Sequence, residues 1–259
     1  MHVGINLYSK WPYEEVIQAF LENGIKRTFV CVEHPCFDEA MEALEKTDIV
    51  VDNLHAPFKG QNNIWKDGEE GEKTLQNLCH GIDCCVKYGI NLMVAHVSNG
   101  RPMPEITDIG LERFDRLMEY AKNKGVKVAF ENHRYLENVK CFMDRYEVGF
   151  CLDTAHEHAF TAGIRYMPMW GDRLVATHIS DNDALCDKDM HMLPFDGIID
   201  FDRIAREIAE SGKNVTLMLE VKPSNHLKYA EVSIKDYYSA AAEKVKQLKN
   251  MVEIYKKEI

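Results

Sequence analysis

The sequence predicts an α/β protein, a (β/α)8 TIM barrel formed as a single domain over residues 1–259. Three observations carry that expectation. Eight short apolar runs alternate with helical patterns, which requires a parallel sheet with helical crossovers. No linker or low-complexity segment divides them, and the length suits eight such units. The apolar runs also end, one after another, in Glu, Asp or His. The competing arrangement, a doubly wound open sheet carrying a dinucleotide, lacks the G-x-G-x-x-G turn after its first strand.

The elements follow in order. Residues 3–7 (VGINL) are the first strand. Pro12 suits a first helical turn, and 14–21 continues with Val16, Ile17, Phe20 and Leu21 at helical spacing until Asn23-Gly24 closes it. Residues 27–33 (RTFVCVE) are the second strand, and 37–46 a short helix with Ala40, Met41 and Leu44. Residues 49–55 (IVVDNLH) are the third strand, and 56–68 a loop rich in turn formers. A long helix at 69–88 carries Leu75, Leu78, Ile82 and Val86 on one stripe and stops at Gly89. Strand four is 91–97 (NLMVAHV), followed by an amphipathic helix at 110–124 that stops at Gly125. Strand five is 126–131 (VKVAFE), followed by a short helical piece at 139–144. Strand six is 148–152 (VGFCL), which breaks into Asp153-Thr154-Ala155-His156. Residues 159–170 are helical but interrupted by Gly163 and Pro168. Strand seven is 174–179 (LVATHI), and 180–197 a long acidic loop. Asp200 caps a helix at 200–210. Strand eight is 215–221 (VTLMLEV), and 233–257 the terminal helix.

Composition bounds the function. Hydrophobic residues make up 46% and charged residues 28%, enough for a real core. The net charge of −11 gives no overall attraction to nucleic acid or an anionic membrane. No apolar run is long enough to span a bilayer. The first residues lack the basic-then-apolar pattern of a secretory signal. The eight cysteines contain no C-x-x-C, so reduced thiols and a cytoplasmic location are expected. Cys151, inside a strand, is expected to act as a small apolar residue.

The polar residues at the strand ends carry the chemistry. Glu33 and His34 end strand two, His55 strand three, Glu131 strand five, Asp153 strand six, His178 strand seven and Glu220 strand eight; His96 lies near the end of strand four. In a barrel these ends converge on one mouth. Burying carboxylates together with imidazoles is costly unless something neutralises them, and a divalent metal is the simplest neutraliser. Glu131, Asp153, His178 and Glu220 are the expected ligands, with Mn2+ or Zn2+ foremost and Co2+ or Mg2+ as alternatives. Asp189-Met190-His191 offers two more donors. Lys222 and Arg134 are cations able to hold a phosphate or carboxylate. Trp65 and Trp170 are aromatic faces suited to stacking on a sugar, or to anchoring a loop. The lysines of the last helix alternate with Glu and form a solvated face.

These residues resemble the xylose isomerase-like TIM-barrel superfamily, in particular its sugar phosphate isomerase/epimerase and endonuclease-IV-type members. The matching pieces are His55-Ala56-Pro57-Phe58, the His96 strand, Phe130-Glu131-Asn132, Leu152-Asp153-Thr154-Ala155-His156, Thr177-His178-Ile179-Ser180-Asp181, Asp189-Met190-His191 and Leu219-Glu220-Val221. They run in the family's order over nearly the whole chain. In the ketose-epimerase branch the resemblance implies one metal ion on Glu131, Asp153, His178 and Glu220. Glu131 and Glu220 would also be the acid/base pair, and His156 would contact substrate. In the endonuclease branch it implies a zinc cluster that adds His55, His96, His156, Asp189 and His191. The sequence departs from the epimerase pattern at Asp189-x-His191, where a substrate-binding Arg is typical.

The leading expectation is a metal-dependent sugar or sugar phosphate isomerase/epimerase. The alternatives are a zinc phosphodiesterase acting on abasic DNA and a non-catalytic metal- or carbohydrate-binding barrel. The acidic loop with Asp181, Asp183, Asp187, Asp189 and Asp196 argues against a nucleic-acid partner. A small-molecule sugar or sugar phosphate and no membrane are the expected partnerships; the sequence leaves the oligomeric state open, a homo-oligomer being one option.

Overall fold

The computed structural model describes residues 1–161, 163–183 and 187–259, so Cys186 lies outside the described residues. Strands β1 (Val3–Ile5), β2 (Arg27–Cys31), β3 (Val50–His55), β4 (Leu92–Ala95), β5 (Lys127–Glu131), β6 (Gly149–Asp153), β7 (Leu174–His178) and β8 (Leu217–Leu219) are all parallel. β2 to β7 pair in sequence order, and β1 pairs with β8. Two seams close the ring. Leu7 N–H donates to Phe29 O at 3.1 Å and Thr28 Oγ1 to Ile5 O at 2.8 Å; on the other side Ile179 N–H donates to Met218 O at 2.8 Å and Glu220 N–H to Ile179 O at 3.0 Å. The result is the (β/α)8 barrel.

Helices α1 (Tyr13–Glu22), α2 (Phe37–Glu45), α3 (Glu69–Lys87), α4 (Asp108–Lys124), α5 (Leu136–Arg145), α6 (Thr154–Phe160), α7 (Met167–Trp170), α8 (Phe201–Glu210) and α9 (Ile234–Glu258) complete the described helices. Their buried faces pack on the outside of the sheet, α4 with Phe114 and Leu117, α9 with Tyr238, Val245 and Leu248. Among the described residues no helix is long and apolar enough to cross a membrane.

Side chains alternate between the two faces of a strand. One face of β4 to β7 contributes Met93, Ala95, Val128, Phe130, Phe150 and Leu152 to the large core shared with the helices. The other face contributes Leu92, Val94, Ala129, Cys151 and Ala176 to a separate small cluster inside the barrel. Two residues further on, that inner face carries His96, Glu131, Asp153 and His178. An apolar plug therefore underlies a polar layer, and the strand period alone sets the boundary between them. Cys151 belongs to the plug, and burial pushes its thiol up to about 12.

Several elements depart from the sequence expectation. β1, β2, β4 and β8 end two residues short of it, although single backbone bonds continue past three of these ends: Leu7 N–H to Phe29 O, Val32 N–H to His55 O and Glu220 N–H to Ile179 O. The helix expected at 159–170 is instead two: α6 starts at Thr154, with Asp153 accepting from His156 N–H as its N-cap, and α7 starts at Met167 with Pro168 in its first turn. α4 begins at Asp108 because Thr107 accepts from Gly110 N–H. The loop at 56–68 contains a 3-10 turn at Gln61–Trp65.

Gly4 on β1 leaves no space for a side chain. A Cβ there would lie 2.6 Å from Met218 Cε and 2.8 Å from the Arg27 carbonyl oxygen. Gly4→Ala is expected to cost about 2 kcal/mol of unfolding free energy by overpacking the β1 seam. A urea titration reads this as a lower midpoint at an unchanged slope; an unchanged midpoint would refute a tight seam.

Candidate metal centre

The polar layer converges on Glu131. This side chain is fully buried, and three ring nitrogens approach its Oε2: His178 Nδ1 at 3.0 Å, His96 Nε2 at 3.3 Å and His55 Nε2 at 3.5 Å. His156 Nδ1 lies 3.0 Å from the other oxygen, Oε1. Glu220 enters from β8, with its Oε2 3.1 Å from the same His178 Nδ1. The residues Glu131, Asp153, His178 and Glu220 offer one ligand atom each within 4.8 Å of one another, as do His55, Glu131 and His178.

A second tier sits above. Asp189 Oδ2 lies 2.5 Å from His191 Nε2 and 3.3 Å from His156 Nε2. Lys222 Nζ is 2.7 Å from His191 Nε2 and 2.9 Å from Glu220 Oε1. All of the predicted donors (His55, His96, Glu131, Asp153, His156, His178, Asp189, His191 and Glu220) thus line one mouth. Backbone contacts orient two of the outer rings. His55 Nδ1 lies 2.8 Å from Ala56 O and His191 Nδ1 3.1 Å from Glu220 O, which turns each Nε2 inward.

The donor set fits a divalent cation. Asp153 Oδ2 and His178 Nε2 are buried and make no hydrogen bond among the described residues, and Glu131 Oε1 is buried with only His156 Nδ1 beside it, a nitrogen that also lies 3.0 Å from Asn132 O. Buried polar atoms are ordinarily satisfied, and these three belong to one cluster. Asp153 divides its work: Oδ1 accepts from His156 N–H at 2.7 Å, and Oδ2 is left for a ligand. Carboxylate and imidazole donors without a thiolate suit Mn2+, Zn2+, Co2+ or Mg2+ in differing degree.

Electrostatics in the cluster are strongly coupled. Burial pushes Glu131 up, but His178, His96 and His156 prevail and hold it well below the usual carboxylate range. Burial likewise opposes ionisation of Glu220, and Lys222 and His178 overcome it. Asp153 goes the other way: burial, then the charges of Glu131, Asp189 and Glu220, raise it well above its ordinary value although His156 pulls it down. His133, behind His156, is held well below the usual imidazole value by burial and by His156 and His96.

Two asparagines fix the geometry: Asn132 carried no functional expectation beyond its place in a motif, and Asn6 was expected only as a residue lining the pocket. Asn132 Nδ2 donates to Asp153 O at 2.8 Å and its Oδ1 accepts from Asp153 N–H at 2.7 Å. Asn6 repeats this across the closing seam, donating to Val221 O at 3.2 Å and accepting from Val221 N–H at 2.8 Å. Each side-chain amide replaces a peptide in the ladder where the strands splay apart. Phe29 was also not anticipated; its ring stacks on His178 at 4.5 Å. Its place two residues before the end of β2, on the inward face, is the signal that points to it.

The structure corrects the stacking role for Trp65. Its ring is buried against Phe114 and Phe142, its Nε1 donates to Val97 O at 3.1 Å, and a Cβ on Gly110 would meet it at 2.3 Å. It is an anchor beneath the loop, with no face left for a ligand. Trp170 is likewise buried, against Phe150 and Tyr166. Glu33 and His34 stay outside the cluster: Glu33 accepts from Phe58 N–H at 3.1 Å and His34 from Cys36 N–H at 3.1 Å. Arg134 lies at the mouth, with its guanidinium 3.8 Å from the centre of the Phe160 ring.

Comparison with known proteins agrees with this architecture. A family model described as a xylose isomerase-like TIM barrel matches residues 32–248. The chain belongs to that family. A D-psicose 3-epimerase from Clostridium cellulolyticum H10, solved with D-tagatose, superposes with a TM-score of 0.78 at 14% identity, covering 97% of this chain and 99% of that one. The IolI protein, solved with a binding zinc atom, gives 0.75 at 19% identity, covering 98% and 99%. At these identities the likeness is one of fold. A sequence relative, the uncharacterized protein y4fM of Sinorhizobium fredii (strain NBRC 101917 / NGR234), is 33% identical over 149 residues; the match covers 56% of this chain and only 45% of that relative's length.

Two measurements probe the centre. Asn132→Leu is expected to cost about 3 kcal/mol, since it strips partners from two buried backbone groups of Asp153; a wild-type thermal midpoint would refute the clamp. Adding Mn2+ or Zn2+ to chelator-treated protein is expected to raise the melting temperature, by linkage worth about 2.7 kcal/mol at a hundredfold excess over Kd. Asp153→Asn should abolish that rise, and no rise with Mn2+, Zn2+, Co2+ or Mg2+ would count against a metal centre.

Proposed function

We propose that this barrel is a divalent-metal-dependent sugar isomerase or epimerase, working by proton transfer at the carbon beside a carbonyl. The observation that carries the reading is the convergence of Glu131 and Glu220 on one imidazole, His178 Nδ1, at 3.0 and 3.1 Å. Two carboxylates from strands separated in the ring thereby flank one small space. Solved relatives of this fold include a ketose 3-epimerase holding a ketose and a protein holding zinc, which supports the reading by analogy.

Glu131, Asp153, His178 and Glu220 would hold the cation. When bound, it supplies Lewis acidity toward a substrate carbonyl and its neighbouring hydroxyl. The remaining chemistry belongs to side chains. Glu131 and Glu220 act as the acid/base pair: the ionised member accepts the carbon-bound proton, and the other, which takes a proton from water before the step, returns one. Lys222, 2.9 Å from Glu220 Oε1, fixes that carboxylate and keeps its charge. His156, anchored between Asn132 O and Asp189, orients a substrate hydroxyl.

A second reading has its own observation. His55, His96, His156, Asp189 and His191 complete a donor set large enough for more than one ion, as phosphodiester hydrolysis by clustered zinc would use. Metal content separates the two. About one ion per chain, with deuterium entering a ketose from solvent, supports the isomerase; two or three zinc ions with cleavage of an abasic-site oligonucleotide supports the phosphodiesterase. Glu131→Gln and Glu220→Gln are each expected to lower turnover by two or more orders of magnitude while leaving the circular dichroism spectrum unchanged. Wild-type turnover in both variants would overturn the acid/base assignment.

A further inference from the structure

We propose that Arg101 and Arg134 form a rim site for an anionic group, a carboxylate or a phosphate monoester, at the far end of the substrate, and that Asp187 occupies this site as a displaceable stand-in. The proposal rests on the isomerase/epimerase reading for the word substrate, and on the geometry below for the anion.

The rim site adjoins the centre. Arg134 lies over Phe160 at 3.8 Å, and another neighbour of Phe160 is His156, whose ring stacks on it at 5.1 Å and 27°. His156 in turn touches Glu131 and Asp189. A sugar with its carbonyl end between Glu131 and Glu220 therefore runs past His156 toward Arg134.

The charge arrangement is that of an occupied anion site. Arg134 and Arg101 come from the loops after β5 and β4, and their like charges oppose each other. Burial, and then Arg101, lower the pKa of Arg134. Between them sits one carboxylate, with Asp187 Oδ1 on Arg134 Nη1 and Oδ2 on Arg101 Nε at 2.7 Å. One oxygen for each guanidinium is how a substrate carboxylate or phosphate is clamped. Donor capacity remains, since Arg134 Nε is buried without a partner among the described residues. Asp187 itself is 40% exposed, on the loop between β7 and α8, so release into water costs it little. A plain structural strap would need no spare buried donor. A phosphate, with three terminal oxygens, fills that donor where Asp187 does not.

Calorimetric titration of the metal-loaded protein tests this with a matched pair of probes, D-ribulose and D-ribulose 5-phosphate, and with the keto acid 5-keto-D-gluconate as the carboxylate arm. At least one anionic probe is expected to bind about tenfold more tightly than the neutral ketose. Arg134→Met and the more exposed Arg101→Gln should each erase most of that preference while sparing affinity for the neutral ketose. Asp187→Asn should raise the affinity for the anionic probe severalfold, because it removes the built-in competitor. Equal affinities for all three probes in the wild type, no binding of either anionic probe, or a preference indifferent to all three substitutions would overturn the proposal. Solvent deuterium exchange, run separately, isolates the underlying reading. An anion preference lost in Arg134→Met without exchange on any probe keeps the site and sinks the isomerase. Exchange on the neutral ketose with no anion preference does the reverse.

Discussion

The inward face of a two-residue repeat governs this molecule. Val94, Ala129, Cys151 and Ala176 point into the barrel because the barrel must be filled, and the residues two positions later must therefore point inward as well. These are His96, Glu131, Asp153 and His178. A one-residue slip in any of those strands would send its ligand into the helical layer and bring an apolar residue to the mouth. Packing of the plug and placement of the centre are thus one constraint. The side-chain amides of Asn6 and Asn132 extend it beyond the last ladder bonds, where carbonyls and amides would otherwise lack partners.

That constraint explains what was legible in the sequence. Alternation of strand and helix, and the recurrence of Glu, Asp and His at strand ends, are local patterns that the barrel converts into a meeting point. The fold and the set of candidate ligands could be read for that reason. Trp65 could not be read correctly, because its partners Phe114 and Phe142 are distant in sequence and a tryptophan in a polar loop looks the same whether its face is covered or free. The start of α6 was hidden because Asp153 is at once a strand end, a helix cap and a candidate ligand, and each role masks the others. The clamps of Asn6 and Asn132 and the bridge from Arg101 through Asp187 to Arg134 join separate loops, and no spacing rule connects them.

The energetics of the cluster argue that its purpose is chemical. Replacing buried ion pairs by packed apolar residues is often neutral or stabilising, so a fold selected only for stability has no reason to keep four carboxylates and five imidazoles in one dry space. The cluster is also built in a particular sense. Backbone carbonyls take one nitrogen of His55 and one of His191, leaving the other nitrogen of each turned inward, while Asp153 commits one oxygen to a helix cap and leaves the other free. Asp153 Oδ2 and His178 Nε2 have no partner among the described residues, and groups that merely neutralised each other would have used up those positions. The same logic runs outward to the rim, where the buried Nε of Arg134 has no partner among the described residues. From the centre to the rim, one run of contacts leads from Glu131 through His156 and Phe160 to Arg134, and that continuity is what a substrate with one end on the centre and the other in solvent would require.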